Sequence, residues 1–94
     1  MTFAWDEKKN RELKKARNVT FEDVITQIRA GRLVDVIKHP NQEKYPHQHI
    51  YLVCLWGYLH LVPFVKDGDT IFLKTIIPSR KMHRLYKGVC DEDG

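Results

Sequence analysis

The hydrophobic period of this chain changes from helical to strand-like at Gly31, and that change constrains the fold more than any other feature. Before it, Phe21, Val24, Ile25 and Ile28 recur at helical spacing; from Arg32 onward the apolar residues alternate or run continuously, as strands do. Arg32 to Lys38, Gln48 to Trp56, Tyr58 to Lys66 and Thr70 to Ile77 read as four strands, with hairpin turns at Gly57 and Asp67-Gly-Asp69. Helices that come first and strands that follow through tight turns give an α+β fold with an antiparallel sheet. Ile50-Tyr-Leu-Val-Cys-Leu55 is apolar on both faces and belongs in the middle of that sheet. Pro63 lacks a ladder donor, which predicts an edge or a bulge in its strand.

Two helices precede the sheet. Phe3-Ala-Trp5 is a short aromatic start, and Asp6 caps a charged helix running to about Arg17 with a narrow apolar stripe of Trp5, Leu13 and Ala16. Thr20 and Asp23 form a capping box, and Val19 and Val24 are placed as a hydrophobic staple. Gly31 closes the second helix in a position that suits left-handed geometry. After the strands, Ser79 caps a short closing helix whose Met82, Leu85 and Val89 should face inward, with Gly88 near its end. The expected order is β-α-α-β-β-β-β-α.

Ninety-four residues make one domain, 1–90, with an acidic tail over 91–94 that is expected to be disordered. No apolar run approaches the roughly 20 residues that span a bilayer, and the first 20 residues are too charged for a signal peptide. No membrane partner is expected, and the expected location is the cytoplasm. Cys54 and Cys90 have no metal spacing and make a poor disulfide framework, so both are expected as reduced thiols.

The charge is local. Of 16 basic residues, Lys74, Arg80, Lys81, Arg84 and Lys87 lie between Thr70 and Val89, where there is no acid; the other 11 face 12 acids. Such a cluster suits a polyanion. Arg80, His83, Arg84 and Lys87 stand at i, i+3, i+4 and i+7, which is one stripe of a helix. Arg80 is the first candidate, because it leaves the last strand in the first turn of a helix and can clamp a phosphate.

Lys74 is the one charge inside the apolar strand Thr70 to Ile77, so its head either snorkels at an edge or lines an anion-binding cleft. Lys66 ends its strand beside the Asp67-Gly turn. His83 and Tyr86 are candidates for proton transfer, since imidazole titrates near neutrality and nearby cations can activate a phenol. His47-x-His49 puts two imidazoles on one side of an extended segment, but no acid or cysteine completes a metal set, and neither metal nor other cofactor is expected. The polar loop from His39 to His47 is a candidate rim for a site. There is no serine-histidine-acid pattern, glycine-rich phosphate loop or pair of catalytic carboxylates. RNA carries its own nucleophile in the ribose hydroxyl, so a basic cleft with a proton acceptor and donor can cleave it without metal.

Three motifs, Phe3-x-Trp5-Asp6-x-x-Lys9, Val19-Thr-Phe-Glu-Asp23 and Ile76-Ile-Pro-Ser-Arg80-Lys81, resemble the BrnT family of toxins. The resemblance runs from Phe3 to Tyr86. It implies a RelE-like fold, translation arrest by RNA cleavage, and neutralisation by a cognate ribbon-helix-helix (BrnA-like) antitoxin in a heterotetramer. By match, Arg80 takes the place of the arginine just after the last strand, and Lys66 that of a basic position ending the preceding strand. The chain departs from the family at Arg17-Asn18, where His-Gly is common, at Thr75, which replaces a frequent basic residue, and in its longer loop from Lys38 to Gln48.

The leading expectation is therefore a toxin ribonuclease: Arg80 and Lys66 on the scissile phosphate, Lys74 or Arg84 stabilising added charge, His83 or Tyr86 moving protons, and Lys81 and Lys87 holding RNA. Two other readings use the same features: a non-catalytic nucleic-acid-binding module, and an interaction protein with no RNA role.

Overall fold

Thr2–Ala4 forms a short strand, β1, and Asp6 then starts the helix α1 (Glu7–Arg17) by accepting the Lys8 N–H on its carboxylate at 2.8 Å. The computed structural model describes residues 1–91. α1 ends at Asn18, whose φ of 58° is left-handed. Only Asn10 and Leu13 of α1 are buried; Ala16, expected in the apolar stripe, is exposed. The capping box of α2 (Phe21–Arg29) is complete, with Asp23 N–H on Thr20 Oγ1 at 3.1 Å and Thr20 N–H on Asp23 Oδ2 at 2.9 Å. Buried Asn10 ties the helices together: it accepts the Phe21 N–H and donates to Glu22 Oε1, both at 2.8 Å. This satisfies a helix-start donor that would otherwise be stranded in the core.

The sheet comprises β1 with β2 (Asp35–Lys38), β3 (Gln48–Leu55), β4 (Tyr58–Asp67), β5 (Thr70–Leu73) and β6 (Ile77–Pro78); α3 (Arg80–Leu85) closes the chain. Its order is β1-β5-β4-β3-β2, with β6 also on β4. The consecutive strands pair antiparallel as expected, but β1 adds to β5 in parallel, so the sheet is mixed. The expected order does open on a strand, but three residues are too few for their spacing to show which neighbour it would join or in which direction.

β3 and β4 are joined by a two-residue turn, Trp56-Gly57, with Leu55 opposite Tyr58. Trp56 therefore belongs to the turn and not to the strand. Both turn residues have positive φ, 55° and 75°, the geometry that matches the twist of a hairpin. Glycine adopts it freely; a tryptophan there costs on the order of 1 kcal/mol or more.

The expected strand from Thr70 to Ile77 is broken. β5 covers Phe64 to Asp67 of β4 and β6 covers His60 and Leu61. Between these pairings β4 advances three residues while the facing chain, Leu73 to Ile77, advances four. The extra residue is a bulge, and it lies where Pro63 has no N–H to give; the Pro63 carbonyl still accepts the Lys74 N–H at 2.8 Å.

Both faces of the sheet are covered. Tyr51, Val53, Leu55, Val62, Phe64, Ile71 and Leu73 pack with Leu13, Phe21, Val24 and Ile25 of the two N-terminal helices. On the other face Ile50, Leu52 and Leu59 pack with Cys90, Met82 and Tyr86. Leu85 and Val89, expected inward, are 66% and 40% exposed. The reason is that α3 turns its Met82–His83–Tyr86 sector to the sheet, which rotates Leu85 outward, and the helix ends before Val89.

Cys54 and Cys90 form a disulfide, with 5.6 Å between their Cα atoms. This corrects the expectation of reduced thiols: 36 residues separate the pair in sequence, and only the return of the chain over β3 joins them. It also removes one support for a reducing compartment. Glu92, Asp93 and Gly94, most of the expected tail, lie outside the described residues. Among the described residues no helix is long and apolar enough to cross a membrane.

Candidate nucleic-acid interface

Arg80 and Lys66 do not meet. Arg80 is exposed at the start of α3, one residue after Ser79, whose N–H is held by the Leu59 carbonyl at 3.0 Å at the beginning of β4. Lys66 is exposed near the other end of β4, opposite Ile71. Seven strand residues between Leu59 and Lys66 amount to roughly 23 Å, so the expected two-cation phosphate clamp is not assembled. Nor does α3 offer much of a helix N-terminus: it has six residues, and Ser79 already takes the N–H groups of Met82 and His83.

Lys74 resolves toward the edge reading, exposed and with its Nζ 5.3 Å from the centre of the Phe72 ring. Lys81, Arg84 and Lys87 are exposed with Arg80, but His83 leaves their stripe and turns to β4. Tyr86 donates its hydroxyl to Asp35 Oδ2 at 2.7 Å. That bond raises the phenol above its ordinary pKa and lowers the carboxyl. The idea of a cation-activated phenol is therefore reversed: an anion holds the proton on Tyr86.

The first residues of β4 gather what the sequence did not single out. His60 lies opposite Val53 and is 6% exposed. Its Nδ1 is 2.8 Å from the Tyr58 carbonyl, which can only accept, so the proton is on Nδ1 and the lone pair on Nε2. Burial lowers the imidazole below its ordinary pKa, and Arg17 acts in the same direction against the opposing effect of the Tyr58 carbonyl. His83 is the complement. Its Nδ1 accepts the Leu59 N–H at 3.2 Å, which puts the ring proton on Nε2. The Tyr58 ring stands between the two imidazoles, stacked on His83 at 4.1 Å and edge-on to His60 at 6.2 Å.

Two arginines flank this aromatic row. Arg17 Nη1 donates to the Ile76 carbonyl at 2.8 Å and leaves most of its guanidinium donors for other acceptors. Next to it, the Asn18 carbonyl accepts the indole N–H of Trp56 at 2.9 Å. Arg80 opens α3 three residues before His83, and its side chain is exposed. The start of β4 thus brings together one basic nitrogen lone pair, one imidazole donor, the Arg17 guanidinium and two further aromatic rings, Tyr58 and Trp56, with Arg80 on the adjoining helix. Cations and aromatic faces of this kind are chemically suited to the phosphates and bases of a single strand.

Signals for these residues were faint. A single histidine in an apolar strand marks a buried polar group only once the register is known, and Trp before Gly looked like the last residue of a strand. Elsewhere, a groove of about 450 Å³ lies between β1 and α2, lined by Phe3, Trp5, Ile25, Glu22 and Arg29, with no imidazole in it. His47 is exposed in the loop and His49 stacks on Phe64 at 5.8 Å; no group of three or more metal-ligating side chains occurs among the described residues. The rings of His39 and Tyr45 meet at a tilt, 4.4 Å apart, and close that loop on itself. No protein-family model, curated protein or solved structure matches the chain.

Proposed function

We propose that this chain is a metal-independent endoribonuclease, the toxin of a bacterial type II toxin-antitoxin module with a RelE-like fold of the BrnT kind. The observation that carries the proposal is the pair of imidazoles at the start of β4, His60 from the strand itself and His83 from α3. Backbone groups fix one with a free lone pair and the other with a free N–H; Arg17 acts on His60, and Arg80 stands three residues before His83 on α3. The order of helices and strands, the localised positive charge and the three sequence motifs support the same reading.

The chemistry follows from those tautomers. His60 Nε2 takes the proton of a ribose 2′-hydroxyl; the 2′-oxygen–phosphorus bond forms and the phosphorus–5′-oxygen bond breaks. The departing 5′-oxygen takes a proton from water, and the resulting hydroxide recovers the proton held on His60. The products are a 2′,3′-cyclic phosphate and a 5′-hydroxyl. His83 donates a hydrogen bond from Nε2 to a non-bridging phosphate oxygen and keeps its proton, because a neutral imidazole is too weak an acid to release it. Arg80 binds the same phosphate, and Arg84, Lys81 and Lys87 hold the flanking strand.

The test is RNA length after incubation in EDTA with wild type and Arg80→Ala. Cutting by wild type and its loss in a folded Arg80→Ala protein support the proposal; an uncut substrate sinks it. One observation favours a second reading, a non-catalytic RNA-binding module: His60 is 6% exposed, and a base has to touch its hydroxyl. That reading predicts salt-sensitive binding with no change in RNA length. The partner in the toxin reading is a ribbon-helix-helix, BrnA-like antitoxin forming a heterotetramer, and co-expression with an adjacent frame of that type should relieve growth arrest. Action on translation belongs in the cytoplasm; the Cys54–Cys90 disulfide is the one feature of the fold that does not favour that compartment.

A further inference from the structure

We infer that Trp56 is a stacking platform for one unpaired nucleobase of single-stranded RNA, an assignment that rests on reading the start of β4 as an RNA site. Trp56 is 69% exposed and holds a left-handed backbone conformation in a turn position that Asn, Asp or Gly fills without strain. A large exposed indole in a strained position does not serve solubility, and its ring faces are not needed for the one hydrogen bond it makes. Its ring is nevertheless not loose. The indole N–H is tied to the Asn18 carbonyl at 2.9 Å, and Asn18 is itself left-handed.

The fixed ring projects at the hairpin tip, two residues before Tyr58 and one hydrogen bond from the neighbour of Arg17. An aromatic face held in place beside guanidinium groups is the arrangement that binds successive bases and phosphates of a single strand without reading their sequence. Base and phosphate would then be gripped on either side of the sugar whose hydroxyl faces His60. Rigid placement matters here, because a ring already immobilised loses little entropy when a base covers it.

The experiment uses a short 2′-O-methyl single strand, which cannot be cut, and reads tryptophan fluorescence and affinity together. Wild type should show quenching, since Trp56 is the exposed one of the two tryptophans. Trp56→Asn replaces the ring with a residue favoured in this turn, so the protein should fold as before, lose the quenching and bind roughly tenfold more weakly. Trp56→Phe keeps a ring and should bind within about threefold of wild type. An abasic strand should weaken wild type by the same factor and cost Trp56→Asn nothing further. Quenching that persists in Trp56→Asn, or equal affinities for wild type and Trp56→Asn, overturns the assignment, as does failure of wild type to bind the strand. Should Trp56→Asn not fold, the abasic strand on wild type decides by itself. Wild type that binds and quenches but never cuts natural RNA retains the platform and rejects the nuclease; cutting with no change in Trp56 does the reverse.

Discussion

His83 accepts the Leu59 N–H on its Nδ1 at 3.2 Å, so a side chain from the last helix completes the hydrogen bonding of β4 where β6 runs out. Leu59 is fully buried, and a bare N–H there would be expensive. Two substitutions separate this anchoring from chemistry. His83→Asn offers Oδ1 in place of Nδ1 and should hold its melting temperature to within a few degrees. His83→Phe keeps a ring for Tyr58 but leaves the N–H unpaired, which should cost about 1–3 kcal/mol in urea unfolding. Both lose the Nε2–H donor. On the proposed mechanism cleavage should then fall on the order of 100-fold in the stable Asn variant as well.

His60 gives the protein a stability that depends on pH. Its pKa in the fold is lowered, mainly by burial, relative to about 6.5 in the unfolded chain, so the unfolded chain binds this proton first as pH falls. Stability from this group is complete above pH ~6.5 and declines below it until the folded pKa is reached, with a slope of at most about 1.4 kcal/mol per pH unit. Thermal or urea unfolding between pH 8 and 5 should show that decline, and His60→Gln should flatten it. Cleavage by wild type should persist somewhat below pH 6.5, since the imidazole keeps its lone pair there; cleavage undiminished in a folded His60→Gln protein would remove it as the base.

The disulfide between Cys54 and Cys90 closes a long loop that contains β4, β5, β6 and α3. For a separation of 36 residues, chain entropy alone assigns about 3 to 4 kcal/mol to that closure. Treatment with a phosphine reductant, or the double change Cys54→Ser and Cys90→Ser, should therefore lower the melting temperature by roughly 15 °C. The residues after Tyr86 should exchange their amide hydrogens fastest, because Cys90 packs the tail on Ile50, Leu52 and Leu59. An unchanged melting temperature would mean that the other contacts of Met82, His83 and Tyr86 suffice.

Much of this architecture was readable because it is local. The Thr20–Asp23 capping box, the left-handed Gly31 and the two hairpin turns each depend on residues within a few positions of one another, and each was legible. What escaped depends on distant partners. The parallel pairing of β1 with β5, the bond of Asn10 to Phe21 and the Cys54–Cys90 link leave no trace in spacing. The candidate site shows the same division. Spacing put His83 in a cationic stripe, whereas the Leu59 N–H drew it inward; the stripe also gave no sign that Asp35 would reach Tyr86 across 51 residues.

Lys66 and Arg80 are both exposed cations, yet Lys66 lies near one end of β4 and Arg80 beside the other, next to the Ser79 that is bonded to Leu59. The geometry therefore predicts opposite results for the same substitution. Arg80→Ala should abolish RNA cutting, whereas Lys66→Ala should leave the cutting rate within about twofold, since a lone surface charge at that distance is largely screened beyond about 10 Å at 0.1 M salt. Both proteins should fold with unchanged melting temperatures, because surface substitutions away from buried networks cost little. Tyr86→Phe belongs with Lys66→Ala: it removes the bond to Asp35 but no group facing His60, and its cutting rate should match wild type. Gel electrophoresis of a single labelled RNA with the four proteins side by side makes the comparison. Loss of cutting in Lys66→Ala with retention in Arg80→Ala would move the site to the β4–β5 turn and away from the imidazoles.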